Sequence, residues 1–216
     1  MVQIERPADL KPVHQRQAAA LALWRWRAPV FAFPLDAQWG VDRAVLKSLF
    51  RLAAAPAGEP SDRAFRRAIA ELCTAPLFAS EVDPDTVQLF QLETVSSLLT
   101  FGTLLDEPGV DTAEQLVEGA AGLANYLDGL VEGSLYPHPA ETAHREYLAK
   151  LADRSGEGYF ASRNLAVASA AHDALPALPD SAGLLGTSTG RELLALCEDF
   201  GEEVVTTMRW LRTTGH

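Results

Sequence analysis

Apolar residues recur at three- and four-residue intervals along the whole chain, and no stretch alternates apolar and polar positions long enough for a half-buried strand. The pattern predicts an all-α protein. Proline, glycine and capping residues divide it into elements. Residues 10–38 are rich in Ala, Leu and Trp; Pro12 suits a first helical turn, whereas Pro29 and Pro34 predict a break or kink near Ala28 and Phe33. Residues 41–55 read as a short amphipathic helix with Val45, Leu49 and Leu52 on one face and Asp42 lending negative charge to its start. Ser61 stands where an N-cap of the next helix is expected. That helix carries Phe65, Ala68, Ile69, Leu72 and Cys73 as one stripe, leaves Arg63, Arg66 and Arg67 off it, and is closed by Pro76.

Residues 83–105 are apolar around most of a helical circumference and are predicted to form the central helix. Thr112 with Gln115 three positions later makes a capping-box pattern, followed at helical spacing by Leu116, Ala120, Leu123, Leu127 and Leu130. Residues 140–153 and 160–175 are the next helices, separated by Gly156 and Gly158. The longest loop-like stretch, 176–188, either lies across the bundle or moves. A last helix over 189–213 points Leu193, Leu196, Cys197, Phe200, Val204, Met208 and Leu211 inward, with Arg209 and Arg212 complementing the dipole at its end. With no fixed-period repeat and no long polar linker, residues 1–216 are expected to form one domain, a single bundle of about seven or eight helices.

Composition agrees with a packed bundle: 216 residues, 48% hydrophobic and 22% charged, outside both the disordered and the membrane classes. The longest uncharged run, residues 94–105, falls well short of the roughly 20 apolar residues a spanning helix needs. No basic segment followed by an apolar run marks the N-terminus, so a soluble, cytoplasmic protein is expected. Cys73 and Cys197 lie in apolar helical patterns without a CxxC or CxxH partner, and both are expected to be buried free thiols.

Charge changes the picture more. Residues 1–72 hold 11 basic and 7 acidic side chains, whereas residues 73–216 hold 7 and 22, so the two parts are electrostatically opposite. Between Arg67 and Arg145 no Lys or Arg occurs across 77 residues that carry 13 carboxylates. Such a field repels nucleic acid and anionic lipid, and it attracts a basic protein. Glu114, Glu118, Asp128 and Glu132 are the candidate partner-binding residues; the alternative is that the carboxylates only keep an Ala/Leu-rich protein soluble. Trp24 and Trp26 are interleaved with Arg25 and Arg27. The two indoles cannot share one helix face, so one is expected to be buried and the other partly exposed, in the core or as a partner-binding anchor.

In residues 10–55 a Leu/Trp-rich helix leads to Trp39-Gly40, then Asp42 and a short Leu-rich helix; in 84–132 Glu93 precedes a long apolar run and a Thr-initiated alanine-rich helix. Together with Leu196-Cys197-Glu198 and Leu211-Arg212 near the end, this order resembles the YjaG-like proteins, a helical bacterial family of unknown function, over about half the chain. Residues 134–190 depart from it, with extra Pro and Gly. The resemblance implies an α-helical fold and no reaction.

Chemistry-bearing motifs are few. Glu141 and His144 form an ExxH pair that puts both on one helix face, and Asp128 and Glu132 on the preceding helix could complete a metal site, but no second ExxH exists. His138 and His172 read as surface or structural histidines, and no GxSxG, GxGxxG or P-loop occurs, so no cofactor is expected. The leading expectation is a non-catalytic helical interaction protein with an acidic docking surface for a basic protein, with toxin immunity as one form of it. A metal-dependent helical-bundle enzyme using Asp128, Glu132, Glu141 and His144 is the alternative, and a homodimeric or scaffold protein with no steered partner is a third.

Overall fold

The computed structural model describes residues 7–79, 81–135, 146 and 158–213. Among them the fold is all-α: seven α-helices joined by turns and 3-10 segments, and no strand. The helices are α1 (Pro12–Ala32), α2 (Arg43–Ala53), α3 (Glu59–Leu72), α4 (Thr86–Asp106), α5 (Val110–Leu135), α6 (Tyr159–Ala174) and α7 (Ser188–Thr213). The helix expected over 140–153 lies, apart from residue 146, outside the described residues.

The central helix is α1, not the predicted 83–105 segment. Eight consecutive residues, Ala19 to Trp26, are buried, which a helix achieves only when neighbours cover its whole circumference. The longest helices, α4, α5 and α7, all pack on it. By contrast, α4 buries one face, with Phe90, Val95, Leu98 and Phe101, and leaves Glu93, Ser96 and Thr103 in solvent. The difference lies in side-chain size: alanines on α1 let neighbouring backbones come close. Gly201 of α7 sits so near α1 that an added Cβ would stand 2.8 Å from the Cβ of Ala28.

Both tryptophans of α1 are buried, against the expectation of one exposed. Trp26 donates its indole N–H to the Ala120 carbonyl at 3.1 Å, stacks on Phe90 and meets Phe200 edge-on. Trp24 points elsewhere, and packs on the Phe50 ring of α2. Helix α1 also runs through Pro29 to Ala32, where Pro34 holds Phe33 extended and stops it. A proline in a helix removes a donor and disturbs the carbonyls of the preceding turn. Helix α4 braces this turn: the Thr94 hydroxyl donates to the Trp26 carbonyl at 3.1 Å, and Gln91 Nε2 donates to the Pro29 carbonyl at 3.1 Å.

Helix starts follow capping chemistry with two revisions. Asp42 caps α2 by accepting from the Ala44 N–H, and Asp85 with Gln88 forms a full capping box on α4. Ser61, however, lies inside α3, which begins at Glu59; its hydroxyl donates to the carbonyls of Pro56 and Gly58. Helix α5 begins at Val110, ahead of the expected Thr112/Gln115 box. The 175–187 connection lies across the bundle, with Leu178 and Leu184 buried and the Ala182 carbonyl accepting from Gln17 Nε2 at 2.9 Å.

The two thiols differ. Cys197 is buried against α1, whereas Cys73 is exposed at the end of α3, where the stripe leaves the core. Burial pushes the Cys197 thiol up to about 12. A maleimide at neutral pH is therefore expected to label one cysteine in the native protein, Cys73, and two after denaturation, as counted by intact mass; uptake of two in the native state would place Cys197 at the surface.

Candidate functional site

The last helix organises the acidic part of the molecule. Along α7, Glu198, Asp199, Glu202 and Glu203 fall as two adjacent pairs four residues apart, on the flank left free when Cys197, Phe200, Gly201 and Val204 turn inward. Glu202 and Thr206 form a ridge with a cleft on either side.

The cleft toward α1, about 590 Å³, is charge-balanced. Arg27 lies over the Trp24 ring, 4.2 Å from its centroid, and pairs with Glu198, which also accepts the Trp24 indole N–H at 3.3 Å. Arg209 stands on the same wall. This cleft meets a ligand with two cations, Arg27 and Arg209, beside its two carboxylates, Glu198 and Glu202.

The cleft toward α6, about 460 Å³, is not balanced. Its walls are Tyr159 and Phe160 of α6, Val131 of α5, and Asp199, Glu202, Glu203, Thr207 and Trp210 of α7, with Glu146 at its margin. Glu203 is neutralised by Arg163, at 3.0 Å, and accepts the Tyr159 hydroxyl at 2.6 Å. Desolvation lowers the affinity of Arg163 for its proton, but the hydrogen bond and charge of Glu203 outweigh it and raise the pKa overall. Asp199 and Glu202 are exposed, and neither makes an ion pair or a side-chain hydrogen bond among the described residues. The cleft thus offers Asp199 and Glu202, uncompensated among the described residues, beside the aromatic side chains of Tyr159 and Trp210. Carboxylates hold an ammonium or guanidinium by charge-assisted hydrogen bonds, and ring faces attract the same cation through their quadrupole.

The placement of α6 rests on Asp128. This α5 side chain is 4% exposed and accepts the backbone N–H groups of Phe160 and Ala161, at 2.9 and 2.8 Å. It caps the first turn of α6 from another helix, where the dipole favours an anion and where the local cap residue, Gly158, has no side chain. Glycine is required there: a Cβ at 158 would lie 2.0 Å from Asp128 Oδ2.

No family model, curated protein or solved structure matches the chain. The resemblance to the YjaG-like proteins stands on the quoted residues alone, and the site is read from its own chemistry.

Of the four expected docking carboxylates, Asp128 is withdrawn: buried and bonded to two backbone amides, it has no surface to offer a partner. Glu118 and Glu132 are exposed on α5 and Glu114 is half-buried there, but none of the three lines the acidic cleft. Asp128 is equally committed against the metal site sketched with Glu132, Glu141 and His144; the last two lie outside the described residues. Among the described residues no group of three or more His, Cys, Asp or Glu side chains is arranged to hold a metal ion, and no helix is long and apolar enough to cross a membrane. The acid pairs 198/199 and 202/203 were readable as a cluster. They were overshadowed by the longer lysine- and arginine-free stretch before residue 145 and masked by Arg209 and Arg212 in the same helix.

Proposed function

We propose that the protein is a non-catalytic interaction protein that docks a basic protein partner, and that the docking element is the acidic, aromatic-walled cleft between α6 and α7. The observation that carries this reading is the pairing pattern along α7. Glu198 and Glu203 are matched by Arg27 and Arg163, while Asp199 and Glu202 face solvent unmatched beside Tyr159 and Trp210. Exposed carboxylates left without cations on a chain of net charge −11 steer a cationic surface toward them and fix its register. Immunity against a basic toxin is one biological form of this chemistry: an acidic protein that binds its partner through charge and needs no catalytic group of its own.

The test uses position and not capture alone. A photo-crosslinking amino acid replacing Thr207 in the cleft wall, and separately Glu118 on the exposed face of α5, is introduced into the full chain in its own cells. Adducts from position 207 that map to a Lys/Arg-rich segment of one protein, with none from 118, are the expected result. Equal adducts from both positions, or adducts to segments without basic residues, would overturn it.

A further inference from the structure

Arg25 sits in the middle of α1 with 1% of its surface exposed, one of the largest fully buried side chains of the protein. Among the described residues its Nε and Nη2 have no hydrogen-bond partner. Desolvation pulls its pKa below the usual arginine value. Arginine nonetheless keeps its proton in proteins, so the interior holds a positive charge with two idle donors. Such a charge is costly to bury unless a counter-charge meets it. The one ionisable neighbour on α7, Cys197, does not serve: its thiol, pushed up to about 12 by burial, is neutral at physiological pH.

Arg25 lines a cavity of about 20 Å³ between α1, α5 and α6. Pro7, Leu10, Val117, Ala168 and Ala171 make its walls apolar, His172 adds an imidazole, and among the described residues no carboxylate lines it. A space of that size holds about one water-sized particle. Water could accept both N–H groups, but it would leave the charge unmatched in an apolar surrounding.

We propose that this cavity is a binding site for one small monovalent anion of chloride size, held by Arg25 Nε and Nη2. Apolar walls select a weakly hydrated, spherical anion. Sulfate and phosphate are too large for the space and too strongly hydrated to leave water for it. The site lies inside the bundle, away from the acidic cleft, and does not depend on the docking proposal. Occupancy ties α1 to α5 and α6, and so makes the stability of the bundle depend on the anion.

The experiment measures ³⁵Cl line width on the full chain, together with thermal unfolding in chloride and in gluconate at equal ionic strength. Two variants accompany the wild type: Arg25→Met, which removes the charge at similar volume, and Ala168→Leu, which fills the cavity and keeps the arginine. The expected result is saturable excess broadening in the wild type, displaced by bromide and absent from both variants. The wild-type midpoint should rise by about 3–5 °C per tenfold increase in chloride above the dissociation constant, with no rise in gluconate. Identical unfolding of the wild type in the two salts, or line broadening that survives in Ala168→Leu, would overturn the proposal and leave water as the occupant. Should Arg25→Met fail to fold, the wild-type salt comparison and Ala168→Leu still decide it.

Discussion

Asp128→Ala is expected to lower the folding free energy by about 3 kcal/mol, the sum of two charge-assisted hydrogen bonds, from a buried amide and a half-buried one, and the capping of a helix they begin. The carboxylate is 4% exposed and binds the N–H groups of Phe160 and Ala161, so its removal leaves two donors without an acceptor in a place water reaches poorly. Asp128→Asn keeps the shape and one acceptor oxygen but loses the charge, and should fall between the parent and the alanine variant. Gly158→Ala reaches the same end from the other side, because its Cβ would overlap the carboxylate. Urea unfolding followed by far-ultraviolet circular dichroism measures all three. A loss below about 1 kcal/mol in Asp128→Ala would mean that the contact is not what holds α6 in place. The consequence reaches the cleft, since α6 brings Tyr159 and Arg163 to it.

Reversing both unmatched carboxylates, in Asp199→Lys/Glu202→Lys, is expected to weaken binding of the basic partner by roughly 100-fold, about 3 kcal/mol, and to flatten the dependence of affinity on salt. Stability should stay within about 0.5 kcal/mol of the parent, because both side chains are exposed and hold nothing in the fold. The partner recovered by crosslinking, titrated calorimetrically at two salt concentrations, gives the measurement. Glu114→Lys/Glu118→Lys is the control on α5. If that pair costs as much affinity as the α7 pair, the docking face returns to the long acidic stretch of the sequence; if neither pair matters, charge does not guide association.

That contrast shows how far the site was legible. The acidic character of the later part of the chain is a matter of composition and could be read directly. Which carboxylates are unmatched could not, because pairing is set by residues far away in sequence: Arg27 reaches Glu198 across 171 positions, and Arg163 reaches Glu203 across 40. Asp128 carries the same lesson with the opposite outcome. On a helical wheel it is one more acidic residue at i, i+4 from Glu132, and only the arrival of the α6 amides turns it from a surface charge into a buried cap.

The sequence by itself determined the all-α class and most helix positions, because helical periodicity, proline stops and acidic helix starts such as Asp42 act within a few residues of one another. The tertiary structure decided which helix is central, how charges pair and where an unpaired one is left. Apolar content marked residues 83–105 as the centre, but a helix is enclosed by how closely its neighbours approach, and the alanines of α1 with Gly201 opposite permit the closer approach. The same enclosure buries Arg25 with Trp24 and Trp26. Burial and pairing are sums over the neighbours in space, and those neighbours come together only when the chain folds.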